Sequence, residues 1–271
     1  MDDEAAEDKE GKQLKRTDKG TPPKNGSVSG SKDEHLASGE RGESRRFDFS
    51  NASIRAAFVR KVFAIVTVML LVNIAMVAPA IFVKELRQFM QENGWLNILA
   101  IVVFLGTYFA LVCCNALARH FPCNFIVLTL FTLAAGVTLM VVCVRVPPYT
   151  VGLALVTTTA TCVGVIIFAS QTKYDITSKM FIIFAVSVAV FIFGIALAII
   201  SIFIYIKILH VIFSVVVCLL FVVHLALDIQ MILGGRKYEL SPEEYIYAAL
   251  MLFVDIYEIF INMLNLINAA E

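Results

Sequence analysis

ILHVIFSVVVCLLFVVHLALDIQMILGGRKYELSPEEYIYAALMLFVDIYEIFINMLNLIN, residues 208–268, holds two apolar runs divided by one short polar break. Each run is long enough to cross a membrane, which takes about 20 apolar residues to span a hydrocarbon core of about 30 Å. The break carries helix punctuation. Gly234-Gly235 closes the first helix. Ser241-Pro242-Glu243-Glu244 then offers an N-cap, a proline at the first helical position and acidic residues in the first turn. The stretch therefore reads as a helical hairpin built for lipid.

Working outward, runs of the same kind recur. Spans are expected at about 62–83, 95–118, 123–144, 149–170, 180–206, 208–233 and 244–268. The fold class is an all-α membrane protein, a seven-transmembrane-helix bundle with a disordered N-terminal tail. Arg145-Val146-Pro147-Pro148 marks a clear break before the fourth span, and Asp175-Ile176-Thr177-Ser178 offers capping oxygens before the fifth. Between the fifth and sixth only Lys207, flanked by Tyr205 and His210, marks a turn, and a single long span there would leave six.

Composition agrees. Of the 271 residues, 59% are hydrophobic, against about 45–50% in soluble domains even when glycine is counted. The 22 basic and 22 acidic residues cancel, but 25 of these 44 charges lie in the first 61 positions. No basic excess points to nucleic acid. Residues 1–46 are polar and charged and have too little apolar surface to offset ordering entropy, so a disordered cytosolic tail precedes a membrane domain over 47–268. With no apolar run before residue 56, no cleavable secretory signal is expected.

Orientation follows from basic residues near the spans. Ten lie on the amino-terminal side, among them Arg55, Lys61, Arg119, Lys173 and Arg236; Lys84, Arg87, Arg145 and Lys207 lie on the other. The amino terminus is expected in the cytosol and, after seven crossings, the carboxyl terminus in a lumen or outside. Glycan on either sequon, Asn25-Gly26-Ser27 or Asn51-Ala52-Ser53, would reverse that assignment.

A charge at a helix centre costs about 2.5–3.5 kcal/mol on insertion scales. The first five spans carry essentially none, whereas the last two carry Asp228, Asp255 and Glu258. Asp255, Glu258, Asn262 and Asn265 fall at i, i+3, i+7 and i+10, within an arc of roughly 80° on one helix face. His224 shares a face with Asp228 one turn away. A polar stripe of this kind turns from lipid toward protein or water. Helix–helix hydrogen bonding accounts for Asn262 and Asn265, and packing for His224. The two aspartates are costlier than such glue requires, so they point to function.

The six cysteines, Cys113, Cys114, Cys123, Cys143, Cys162 and Cys218, include no CxxC pair and read as buried thiols packing as small hydrophobes. No phosphate-binding glycine loop, HExxH or nucleophile elbow is present, and the aspartates lack the YD and GxGD contexts of intramembrane aspartyl proteases. No enzyme is expected. A seven-span receptor is disfavoured because its amino terminus would face the other way.

Leu227-Asp228-Ile229-Gln230, the run from Gly234-Gly235-Arg236-Lys237-Tyr238-Glu239-Leu240 to Ser241-Pro242-Glu243-Glu244-Tyr245, and Phe253-Val254-Asp255-Ile256 together resemble the transmembrane Bax-inhibitor-motif family, in its lifeguard branch. Phe58-Val59-Arg60-Lys61-Val62 and Ser170-Gln171-Thr172-Lys173-Tyr174-Asp175 extend the resemblance, which covers about 47–268. The resemblance implies a seven-span helical protein that suppresses cell death through a pH-sensitive calcium leak. It implies that Asp228 and Asp255 form the pH-sensing pair on the calcium pathway and hold calcium transiently, with Arg119 as a latch that engages them in the closed state. Glu258 departs from the pattern, since bacterial relatives tend to carry Asn there. Pathway-lining candidates are Glu258, Asn262, Asn265 and His224.

The function expected is thus a calcium-permeable leak of intracellular membranes, endoplasmic reticulum or Golgi before plasma membrane or lysosome, which lowers stored calcium and suppresses apoptosis. Calcium is the permeant ion rather than a cofactor. The bilayer, calcium and protons are the expected partners, with apoptosis regulators or death-receptor components beside them and no nucleic acid. Two alternatives stand: a non-conducting anti-apoptotic protein that acts through partners, and a proton-coupled cation exchanger.

Overall fold

The computed structural model describes residues 31–114, 122–204 and 206–271, with side chains from Ala52 onward. The chain divides into two units, 1–48 and 49–271. In the first unit the backbone is helical from Ser31, while residues 1–30 of the expected tail lie outside the described residues.

The helices, in order, are α1 (Ser31–Phe82), α2 (Lys84–Glu92), α3 (Gly94–Cys113), α4 (Cys123–Cys143), α5 (Pro148–Gln171), α6 (Met180–Phe203), α7 (Lys207–Leu233) and α8 (Tyr245–Ala270). Single 3-10 turns at Thr177–Lys179 and Pro242–Glu244 precede α6 and α8. Seven helices among the described residues are long and apolar enough to span, the first of them over Ala52–Phe82. The protein is a multi-pass integral membrane protein. The doubtful division at Lys207 is real: Ile204 and Ile206 are extended, which separates α6 from α7.

Three local expectations need correction. The second span ends at Cys113 rather than 118. A short helix, α2, lies between the first and second spans, where no element was expected. Its Arg87 donates to the Val144 and Val146 carbonyls (3.0 and 3.3 Å) and Gln91 to Val144 (2.8 Å), so α2 covers the open carbonyl end of α4. The third concerns the fifth span, which has no side-chain cap. Asp175 instead accepts hydrogen bonds from the Thr177 hydroxyl (2.6 Å) and the Lys237 N–H (3.2 Å). The Ser241–Glu244 capping box before α8 forms as its sequence suggests.

Helix α8 is the axis of the bundle and packs on α4, α5 and α7. One apolar core joins α8 to α1, α3, α4 and α5 through an aromatic stack in which Phe104 meets Phe131 (4.8 Å between centroids) and Tyr257 (5.5 Å). A second core joins α8 to α1, α5 and α7, with small Ala248 and Ala249 facing Leu225, Ile229 and Ile232. Small residues let helix backbones approach where lipid supplies no hydrophobic drive. Helix α6 is peripheral, with Leu197 as its buried residue.

Candidate functional site: a buried aspartate pair beneath a clasped loop

The α7–α8 connection is held by charge and backbone. Gly234 and Gly235 adopt φ of 74° and 71°, a left-handed turn open to glycine, and a Cβ on Gly234 would strike the Arg55 guanidinium. Arg55, at the start of the first span, donates to the carbonyls of Leu233 (3.2 Å), Met231 (3.0 Å) and Leu240 (2.6 Å), and its guanidinium lies 3.4 Å from Glu239 Oε2. The C-terminal carbonyls of a helix lack internal partners and carry partial negative charge, so a guanidinium is well matched to them. Arg236 donates to the carbonyls of Lys173 (3.0 Å) and Thr172, tying this loop to the one between α5 and α6. Gln230 reinforces the tie, donating to the Tyr174 carbonyl and accepting from the Ile176 N–H, both at 2.9 Å. Hydrogen bonding to Thr177 and Lys237 holds the half-buried Asp175 carboxyl below the usual range.

Beneath the clasp lie Asp228 on α7 and Asp255 on α8, both buried. Asp228 is five residues from the end of its helix and Asp255 eleven beyond residue 244. The structure places the two carboxyl groups close enough to interact electrostatically with each other. Asp228 Oδ1 and Asp255 Oδ2 remain buried without a partner among the described residues. Tyr108 on α3, Cys162 on α5 and Tyr247 and Glu258 on α8 lie near enough to interact with the pair electrostatically.

The other sequence candidates separate. Glu258 is half-buried, and its carbonyl accepts from the Asn262 amide (2.8 Å), so buried Asn262 bonds back to its own helix. Asn265 is exposed rather than turned inward, which ends the expected stripe one turn early. His224 turns to α6, where Nε2 lies 2.7 Å from Ser187 Oγ, and its ring packs on Phe221. The latch candidate Arg119 lies outside the described residues. No group of three or more His, Cys, Asp or Glu among the described residues is placed to hold a metal ion. The pair thus presents two carboxyl groups, whereas calcium takes six to eight oxygens.

A cavity of about 430 Å³ lies against the opposite face of α8, between α1 and α5. Ile256, Tyr257, Thr158 and Asn73 line it, and neither aspartate does.

The family described as Inhibitor of apoptosis-promoting Bax1 matches residues 55–271, from the clasping arginine to the last residue. The chain belongs to the Bax-inhibitor family. Its similarity places it in the lifeguard branch. It is 34% identical to Protein lifeguard 3 of Mus musculus over 83% of this chain and 72% of the relative. Against Protein lifeguard 3 of Homo sapiens the identity is again 34%, over 82% and 71%. Protein lifeguard 4 of Mus musculus is 29% identical over 82% of this chain and 89% of the relative.

Sequence reasoning missed Arg55 as a site residue and counted it only toward orientation. The available signal was an arginine near the start of an apolar run, together with a glycine-terminated helix whose carbonyls needed a cation. Gln230 was quoted only as part of a motif, although a buried glutamine must find partners.

Proposed function

We propose that this lifeguard-type protein is a pH-sensitive calcium-permeable leak of intracellular membranes, with its amino terminus in the cytosol, that lowers stored calcium and thereby suppresses apoptosis. The observation that carries the reading is the proximity of Asp228 and Asp255 in the bundle, each with one buried oxygen that has no partner among the described residues. Two carboxyl groups close together in low dielectric share a proton and titrate as a coupled pair. Protonated, the pair is neutral and offers a cation little. Fully ionised, it attracts calcium or a basic side chain, and Arg119 is the candidate for that second role. With only two carboxyl groups the ion keeps most of its water, which suits passage better than storage.

The test is calcium flux into liposomes reconstituted with purified protein, followed across pH. Wild type should conduct in a pH-dependent way, and Asp228→Asn with Asp255→Asn should lose that dependence. No flux at any pH would overturn the leak and favour a partner-binding protein. Obligatory proton counter-flux would instead identify an exchanger, for which the same acids would serve.

A further inference from the structure

We propose that Cys113, Cys114 and Cys123 form a cytosolic-edge cluster that is S-acylated with long-chain fatty acyl groups. The proposal rests on the cytosolic placement of the amino-terminal side proposed above.

The six free thiols fall into two sets. Cys143, Cys162 and Cys218 are buried and pack as the small hydrophobes expected from sequence. Cys113, Cys114 and Cys123 are exposed, so packing does not account for them. They share one place in the fold: Cys113 is the last residue of α3, Cys114 its C-cap and Cys123 the first residue of α4. Helices α3 and α4 pack together, and the chain returns between them after a short connection, so all three thiols lie at the same end of one hairpin.

Their depth follows from helix geometry. Exposed Trp95 and Tyr149, at the starts of α3 and α5, mark the opposite interface, where amphipathic aromatic rings collect. Cys113 lies 18 residues beyond Trp95 on α3. At 1.5 Å per residue that is about 27 Å, close to the hydrocarbon thickness of about 30 Å. The thiols therefore sit at headgroup level, on the side that carries ten of the basic residues near the spans. Juxtamembrane cysteines at this level are the usual acceptors of reversible acylation, because the attached chain enters the adjacent leaflet directly.

The chemistry balances with a long-chain acyl-coenzyme A as donor. The cysteine sulfur attacks the thioester carbonyl, and a new carbon–sulfur bond forms to the protein. The bond to coenzyme A sulfur breaks, and the cysteine proton leaves with the coenzyme A thiol. No oxidation state changes.

The test uses the full chain expressed in cells. Free thiols are blocked, thioesters are cleaved with hydroxylamine, and the released thiols are tagged with a polyethylene-glycol maleimide. Wild type should show a hydroxylamine-dependent shift of one to three tags. Cys113→Ser with Cys114→Ser and Cys123→Ser should abolish it, and Cys143→Ala alone should retain it. A shift that persists in the triple variant would overturn the assignment. A second measurement separates this proposal from the topology. An impermeant maleimide is applied after hydroxylamine to cells whose plasma membrane alone is permeabilised. Labelled thiols with no hydroxylamine-dependent shift would overturn acylation and leave the orientation standing. Thiols reached only after full permeabilisation would overturn both.

Discussion

Gln230 and Asp228 sit two residues apart on α7, and each is only 1% exposed. Gln230 spends both ends of its amide on the backbone at Tyr174 and Ile176. Asp228 meets another acid and keeps one oxygen without a partner among the described residues. Burial cost is comparable in kind, and the partners differ. A satisfied buried polar group contributes to holding the fold, whereas an unsatisfied one is costly and persists where function requires it. On this comparison the loop end of α7 is a clasp, and the level of Asp228 is the candidate site.

The clasp should fail first. Arg55→Ala removes a charged donor from three carbonyls, and bonds of that type contribute about 1.5–3 kcal/mol each. A loss of about 3 kcal/mol or more is expected in denaturation of the detergent-solubilised protein. Arg55→Lys should recover only part of it, because one ammonium cannot reproduce the planar fork. If Arg55→Ala unfolded like wild type, the clasp would be incidental. Gln230→Leu should cost about 1–2 kcal/mol, since it leaves a part-buried carbonyl and N–H unmet; a neutral result would erase the contrast with Asp228.

Asp228→Asn should behave oppositely, staying within about 1 kcal/mol of wild type at neutral pH because it removes a poorly satisfied carboxyl. Its effect should appear instead in the pH profile of flux. A large loss of stability with unchanged flux would make Asp228 part of the scaffold. The smallest effect is expected at Asp175. Hydrogen bonding holds its folded carboxyl below the value it has when unfolded. It therefore contributes stability above about pH 4, and that contribution is lost as pH falls through the lower folded value. The melting temperature of Asp175→Asn should fall less than that of wild type on acidification below about pH 4. Equal acid sensitivity would show that this loop bond adds nothing to folding.

Much of the fold was legible because lipid imposes a simple rule. A spanning segment must be long, apolar and helical, so five of the spans were placed to within a few residues, while the first begins ten residues earlier than expected and the second overran its end. Helix α2 escaped because Lys84–Glu92 is polar and short, and only its docking of Arg87 and Gln91 onto the end of α4 makes it an ordered element. The acids of the site were legible for the same reason as the spans, as charges in runs that otherwise exclude them. Their surroundings were not. Periodicity placed His224 on the face of Asp228 and Asn265 on that of Asp255, yet one pairs with Ser187 on α6 and the other is exposed. A face spans a wide arc, and which neighbour fills each part of it depends on helices distant in sequence.

By itself, the sequence determined the membrane, the spans apart from the division at Lys207, the family and the two aspartates, because each of these depends on local hydrophobicity or on contiguous motifs. Only the tertiary structure decided that those aspartates meet, that Arg55 closes the loop above them and that three of the six thiols stay outside the packing. Each of these outcomes depends on how far one helix is displaced along another, and that displacement is set by side chains packing across the bundle.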